Sequence, residues 1–396
     1  MKSDIIIIGA GLVGITAACA LAELGLNIIV IDSADLDEVR KKESDGRTCA
    51  IAAGSKRFFQ KIGVWADMES HAGAINDIRV TDGNSPVFLH YDHKLISNEP
   101  MGYIIENYHI REALFKRAAG FKNITIIAPA KYSNVQFEDD GCVVEVTPAS
   151  QPTINIKSKL LIAADGKNSN IRKIAGIRTH EWNYDQSGIV CTISHENHHQ
   201  FIAQERFLPE GPFAVLPMVG GYNSSLVWTE KKALVPIYMS MAKEEIEEQI
   251  TMRTGEYLGK ITLDSRMYSY PLSLCKAKTY IGKNLILIGD AAHAMHPLAG
   301  QGFNVGIRDV EELVYRLSVV GCRDNDSGFT IHDSLLKSYE AARMADSIAL
   351  IGITDILNRA FSNDIIPLRT ARRLGMAAVN KATPLKKFFM KHAMGL

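Results

Sequence analysis

The chain has 396 residues, with 44 lysines and arginines against 44 aspartates and glutamates, so its formal net charge is zero. A balanced chain of this length has room for about two or three domains with their own cores, and it offers no basic field for a nucleic-acid partner. Its six cysteines are scattered without a C-x-x-C pair, and the histidine pairs His198-His199 and His293/His296 have no third ligand nearby in sequence. The pattern fits reduced thiols in a cytoplasmic protein without a metal site.

The first segment, Asp4-Ile-Ile-Ile-Ile-Gly9-Ala-Gly11-Leu-Val-Gly14 followed by Asn27-Ile-Ile-Val-Ile-Asp32, reads as strand, tight turn, helix and strand. Gly9 permits the turn, Gly11 lets a pyrophosphate approach the backbone, Gly14 lets the helix pack on the strand, and Asp32 can accept hydrogen bonds from a ribose. Residues 5–22 carry no charge and approach the length of a signal peptide or membrane span. Three glycines, Thr16 and the preceding Asp4 argue against that reading, and the stretch runs on into Asp32.

Arg47-Thr-Cys-Ala-Ile-Ala-Ala-Gly-Ser places an arginine just ahead of a small-residue helix start. It can brace a cofactor from the side, or it is a surface cation near a helix terminus. From Ile75 to Asp92, short β-like stretches around a Gly83-Asn84 turn open an inserted second domain. Residues 107–119 predict a helix with Ile110, Ala113, Leu114 and Ala118 on one face and Arg111 at its start.

Strands follow over 124–127, 132–137, 142–147 and 153–157, with Asp140-Gly141 as a turn signal. The buried run Lys159-Leu-Leu-Ile-Ala-Ala then ends in Asp165-Gly166. Residues 180–275 predict an antiparallel sheet with strands over 188–195, 201–208, 213–217 and 224–229, interrupted by a helix over 243–254. Such a sheet has one solvated and one buried face. Phe213, Val215, Leu216 and Pro217 are candidates to line an aromatic pocket, although core packing produces the same composition.

The segment from Leu287 to Gly302 is the most informative. An apolar run delivers Gly289-Asp290 at its tip. Pro297, Gly300, Gln301 and Gly302 then shape a turn whose backbone can lie against a flat ring, and a helix beginning near Gly302 aims free N–H groups at it. Helices follow over 304–320 and 332–357. No acidic residue follows Asp364, while Arg369, Arg372, Arg373, Lys381, Lys386, Lys387 and Lys391 alternate with apolar residues. That tail reads as basic amphipathic helices or as an ordinary solvated face.

One nucleotide fingerprint, an Asp-Gly tip midway and a Gly-Asp tip followed by His-Pro-x-x-Gly-Gln-Gly together resemble the class A flavoprotein aromatic monooxygenases. Within that group the chain is most similar to the ubiquinone-biosynthesis ring hydroxylases, the 2-polyprenylphenol and 2-polyprenyl-6-methoxyphenol hydroxylase type. The likeness covers nearly the whole chain. It includes Arg47-Thr-x-Ala, Gly102-Tyr-Ile-Ile-Glu-Asn107, Phe207-Leu-Pro-x-Gly-Pro-Phe-Ala-x-Leu-Pro217 and the ending Lys387-Phe-Phe-Met-Lys-His-Ala-Met-Gly395-Leu396.

The resemblance implies an α/β (α+β) fold. A Rossmann-like FAD-binding domain with a parallel sheet would take residues 1–74, 107–179 and 276–325, an inserted antiparallel-sheet substrate domain 75–106 and 180–275, and a helical C-terminal region 326–396. Gly9, Gly11, Gly14 and Asp32 would hold the adenosine half of FAD, and Arg47 its pyrophosphate or ribityl region. Gly289-Asp290 would bind the ribityl hydroxyls. Asp165 and Gly166 would serve both FAD and NAD(P)H, with Arg172 closing that loop, and Pro297, Gly300, Gln301 and Gly302 would line the isoalloxazine. Tyr108 stands where the family often has arginine, so the nearby cofactor contact is assigned to Arg111.

The implied reaction is hydroxylation of the aromatic ring of a lipophilic polyprenyl phenol, using NAD(P)H and O2 through a C4a-hydroperoxyflavin with water excluded. Phenols attack faster once deprotonated. His296, beside Pro297, is the candidate base, or else a structural histidine bonding a backbone carbonyl. There is no second dinucleotide fingerprint, so the nicotinamide would dock transiently in the shared cleft. The basic tail fits peripheral contact with the inner face of a membrane, and other ubiquinone-biosynthesis proteins are expected partners. A halogenase is disfavoured, because Trp65, Trp182 and Trp228 lie too far apart for its Trp-x-Trp motif. A related flavin reductase and a non-catalytic flavin-binding scaffold are the remaining alternatives.

Overall fold

The structure, a computed structural model, describes residues 1–83, 85, 88–295, 300–319, 323–324, 328–361 and 366–396. Its first sheet has the order Ile281–Gly282, Leu285–Leu287, Leu160–Ala163, Ile5–Ile8, Ile28–Ile31, Ile124–Ile127. All but the first strand run parallel, with Ile5 in register with both Leu160 and Ile28. A parallel sheet is covered on both faces, which is why its central strands are unbroken aliphatic runs rather than alternating ones. Every residue of Ile5–Ile8, Ile28–Ile31 and Leu160–Ala163 is buried. The helices Leu12–Ala22, Asn107–Ala119 and Gln301–Val319 complete this core.

The order of the strands positions the site. The strands ending at Gly9, Ala163 and Leu287 are immediate neighbours, so the glycine turn, the Asp165 tip and the Asp290 tip emerge side by side at the carboxyl edge. A parallel α/β sheet binds its ligand there.

The second large sheet has eight strands: Ile261–Leu263, Thr179–His195, Asn223–Lys231, Gly211–Pro217, Ile202–Leu208, Asp77–Asp82 and Phe88–Asp92 in order, with Tyr268–Ala277 also pairing with Thr179–His195. One face packs under the helices Val235–Ser240 and Lys243–Thr254. The other looks towards a three-stranded sheet of Thr48–Ala52, Gly102–Glu106 and Gly73–Ile75, which lies near the cofactor edge.

Three local expectations need revision. The segment after Arg47 is a strand, Thr48–Ala52, before it becomes the helix Ala53–Lys61, because Gly102–Glu106 pairs with it residue for residue. The strand ending at His195 starts at Thr179 rather than near Gly188. Its first half is polar, carries a register shift between Asn183 and Gln186, and places Asp185 at positive φ, all of which blur the period-two pattern. Its partner Tyr268–Ala277 is masked in the same way by alternating serines and tyrosines.

The C-terminal region is helical over Asp333–Phe361, Ile366–Lys381 and Thr383–Met394. Among the described residues no helix is long and apolar enough to cross a membrane. Asp82, 3% exposed, clamps this region to the large sheet: Arg372 donates to Oδ1 at 2.8 Å and Arg373 to Oδ2 at 3.1 Å. Asp82→Ala removes the buried carboxylate that Arg372 and Arg373 share, so it should lower unfolding stability by roughly 3 kcal/mol. Arg373→Ala, at a side chain 39% exposed, should cost less than about 1 kcal/mol. Urea unfolding midpoints check both, and equal midpoints would show that the clamp contributes nothing.

Candidate active site

The nucleotide turn separates glycines needed by the protein from one needed by a ligand. Gly9 has φ +108, and a Cβ on it would lie 2.4 Å from the Ala164 carbonyl oxygen. A Cβ on Gly14 would lie 2.0 Å from the Gly9 oxygen. Among the described residues nothing lies within 4 Å of a Cβ on Gly11, whose backbone is extended. Its missing side chain therefore leaves open space at the start of a helix, where a pyrophosphate can meet free N–H groups. Asp32 is fixed beside it, accepting from the amides of Ala10 at 2.5 Å and Ala34 at 2.8 Å.

The two acidic tips are tied together. Asp165 Oδ2 accepts from the amides of Asn170 and Ile171 at 2.8 and 3.1 Å, while its Oδ1 is buried without a hydrogen-bond partner. A buried carboxylate oxygen left unpaired by the chain is suited to a hydroxyl from outside it. Gly166 has φ +78 with open space beyond it. Arg172, 3% exposed, donates to the Ala291 carbonyl and to the Lys167 carbonyl, both at 2.7 Å. One guanidinium thus holds the Asp165 loop against the Asp290 segment.

Asp290 projects into the cleft, where solvent still reaches it. Surrounding protein raises its pKa by desolvation, and His293, Arg47 and Lys167 partly oppose the shift. Gly289, at φ +59, donates its amide to Asp309 Oδ2 at 2.9 Å. The same oxygen lies 2.6 Å from His293 Nε2, and Oδ1 takes Arg343 at 2.7 Å. Burial alone would raise the Asp309 carboxyl, but His293 and Arg343 hold it below the usual range. Arg343 and Arg308 share Asp346, which extends the buried network to the helix Asp333–Phe361.

Arg47 lines the cleft from the side. Its guanidinium grips Asp45 through two bonds of 2.8 and 2.9 Å and lies 4.7 Å over the Tyr270 ring, with half its side chain exposed. Asp45 also accepts from the Asn107 amide at 2.9 Å and from Arg111 at 3.2 Å. Burial opposes its ionisation, yet Arg47 and Asn107 hold the carboxyl at about 2. Arg111 is 8% exposed and spends its other bond on the Val39 carbonyl. Both bonds of Arg111, the residue expected at the cofactor, point into the protein, where it positions Asp45, which positions Arg47.

On the flavin loop, Gly300 has φ +61, and a Cβ there would lie 2.8 Å from Ala50 Cβ. Gln301 opens the helix Gln301–Val319, while a Cβ on Gly302 would lie 3.9 Å from Met295. Asn304 anchors the loop, donating to the carbonyls of Ala50 at 2.7 Å and Gly300 at 3.1 Å and accepting from the Ala52 amide and the Ser55 hydroxyl. His296 and Pro297 lie outside the described residues.

The expected pocket wall divides by strand alternation. Phe213 and Val215 point away from the flavin side into a core with Trp228, Ile246 and Ile250, so their assignment to the pocket is corrected. Leu216 faces the other way, into a cluster with Ala50, Met101, Met218 and Met394. Pro217 is buried, and its carbonyl would lie 2.4 Å from a Cβ on Gly73. Sequence reasoning missed Asp45, Asn304 and Asp309. Only the acid-x-Arg spacing of Asp45 and Arg47 left a trace, because the others act through loops distant in sequence.

Open space at Gly11, the unpaired Asp165 oxygen and the Asp290–Arg47 pair across one cleft fit FAD. The fold and the site define a flavin-dependent monooxygenase with FAD as its cofactor. The chain belongs to the family described as FAD binding domain, which matches residues 2–351. It is 43% identical over 393 residues to the ubiquinone hydroxylase UbiL of Rhodospirillum rubrum, covering 99% of this chain and 90% of the relative. It is 32% identical over 395 residues to the 3-demethoxyubiquinol 3-hydroxylase of Escherichia coli strain K12, covering 100% and 99%. The crystal structure of p-nitrophenol 4-monooxygenase from Pseudomonas putida DLL-E4 aligns with a TM-score of 0.80 at 17% identity, covering 99% of this chain and 98% of that one. At that identity the likeness is one of fold.

Gly11→Ala should leave flavin-free protein as stable as the parent or slightly more so, within about 1 kcal/mol, yet weaken FAD binding at least about tenfold in a fluorescence titration. Gly14→Ala should unfold earlier even without flavin. If both variants behave alike, Gly11 has no ligand-specific role. Asp45 has a lowered folded pKa, so its stabilisation is present above the ordinary carboxylate range and is lost as pH falls from about 4 towards 2. That contribution amounts to about 2 kcal/mol. Asp45→Asn should remove it, so parent and variant midpoints should differ at pH 7 and converge on acidification.

Proposed function

We propose that the protein hydroxylates the aromatic ring of a polyprenylated phenol in ubiquinone biosynthesis. The observation that carries this reading is the meeting of a flavin cleft with an apolar, methionine-rich wall made of Ala50, Met101, Leu216, Met218, Met390 and Met394. When bound, FAD takes two electrons from NAD(P)H and activates O2 for transfer of one oxygen atom. The chain contributes position and exclusion. Gly11 and Asp32 would seat the nucleotide, Asp290 and Arg47 would hold the ribityl region, and the N-terminus of Gln301–Val319 would support negative charge on the ring. The wall keeps water from the reacting atoms, and unbranched methionines adapt to a flexible isoprenoid.

The C-terminal helix supports uptake of such a substrate from a lipid surface. Met390 and Met394 of Thr383–Met394 face inward, whereas Leu385, Phe388 and Phe389 are exposed on the opposite side, with Phe388 at 64%. Lys387 and Lys391 flank them. An outward apolar stripe beside lysines suits peripheral binding at the inner, anionic leaflet of a membrane.

Purified protein should be yellow, oxidise NAD(P)H faster when 2-prenylphenol is added, and form the corresponding diol. Flavin binding without phenol-stimulated oxidation would leave only a scaffold. In flotation with vesicles containing anionic lipid, the double change Leu385→Glu and Phe388→Glu should abolish co-migration while flavin content stays unchanged. Equal flotation would remove the membrane role.

A further inference from the structure

The face of the large sheet that looks towards the flavin is marked by several contacts. Thr48 Oγ1 lies 2.8 Å from Ser225 Oγ, Arg47 stacks on Tyr270, and Ala50 shares a cluster with Ala203 and Leu216. Strand alternation adds Glu205 to the same face. It stands two residues beyond Ala203, opposite Ala214 on one neighbouring strand and beside Val80 on the other. Ala203 belongs to the cluster that reaches Ala50, and Phe207 to a second cluster with Phe361 and Met376 of the C-terminal helices. Glu205 lies between the two.

Glu205 is half-buried. Burial pushes its carboxyl up to about 7, with no opposing charge or hydrogen bond among the described residues. The ionisable groups on this face are otherwise occupied or remote. Asp82 is taken up by Arg372 and Arg373 from the helix packed above, and the Tyr91 hydroxyl on the neighbouring hairpin is itself raised to about 12 by burial. His90 and Asp77, 2.5 Å apart, pair on the opposite face of the sheet. An unpaired carboxyl in an apolar wall is costly, and among the described residues nothing compensates it.

We propose that Glu205 accepts the hydroxyl of the phenol substrate, holding it by a hydrogen bond and taking its proton as the ring attacks. This rests on the phenol-hydroxylase reading above. The phenol O–H bond breaks and the proton passes to the Glu205 carboxylate, while the oxygen's electron pair enters the ring. The ring carbon forms its new C–O bond to one atom of O2, whose other atom leaves as water, NAD(P)H supplies two electrons, and the ring carbon loses its proton as aromaticity returns. A carboxylate that titrates near neutrality is matched to such work, and the apolar surroundings strengthen the hydrogen bond.

The test titrates flavin-loaded protein with 2-prenylphenol and with its methyl ether, which lacks the proton, following flavin absorbance from about pH 6 to about pH 8.5. The parent should bind the phenol about tenfold more tightly above pH 7 than below it, as expected for a charge-assisted hydrogen bond, while the ether shows no such step. Glu205→Gln should bind the phenol about tenfold more weakly at high pH, without the step, and form diol at least about a hundredfold more slowly. Glu205→Asp should keep the step. Parent affinity for the phenol that is flat with pH would overturn the assignment, as would a Glu205→Gln variant with the parent's affinity and pH profile. If Glu205→Gln loses its flavin, the parent's phenol-against-ether comparison decides alone. A parent that shows the pH step but never forms diol would overturn the hydroxylase reading and leave Glu205 as the phenol acceptor.

Discussion

The cofactor cleft depends on one buried guanidinium. Arg172 reaches from the helix Asn170–Ile174 to the Ala291 carbonyl on one side and the Lys167 carbonyl on the other. Strand order brings the three tips to one edge, but adjacency alone does not fix how glycine-rich loops lie once they leave the ladder. A planar donor with two bonds to two loops sets their separation. Without it the Asp165 and Asp290 tips would be neighbours in topology and independent in position.

The same solution recurs around the cleft. Loops that must offer backbone to a ligand cannot bury apolar side chains against it, so they are held from behind by buried polar side chains that are fully engaged. Asp45 gathers Arg47, Asn107 and Arg111. Asp309 gathers Gly289, His293 and Arg343. Asn304 ties Gly300 to the strand Thr48–Ala52. Each hub costs desolvation and returns geometry, which a site that positions a large cofactor needs more than it needs extra stability.

The large sheet divides its labour by period two. Its far face is a conventional aromatic and aliphatic core around Phe213, Trp228 and Ile250. Its near face carries small residues, Leu216 and one unpaired carboxyl, closed over by methionines from the C-terminal helix. That helix therefore has two unlike faces, with Met390 and Met394 in the apolar cluster and Phe388 in solvent. The clamp at Asp82 keeps the preceding helix in place beside it.

The flavin fold was legible in the sequence because its signals are local. Gly9, Gly11, Gly14 and Asp32 fall within one strand-turn-helix-strand unit, and the tips at Asp165 and Asp290 each end an aliphatic strand. Chain chemistry over a few residues was enough to state the cofactor and the α/β class. Which side chains face the flavin was decided only by tertiary structure. Whether Val215 or Leu216 faces the cleft turns on which face of the sheet is covered by helices, and the turning of Arg111 inward to Asp45 depends on a loop that lies 66 residues earlier in the chain. The burial of Glu205 likewise arises only once its strand is flanked by Gly211–Pro217 and Asp77–Asp82. A sequence records the chemistry of each residue, while burial and partnership arise from packing between segments that are remote along the chain.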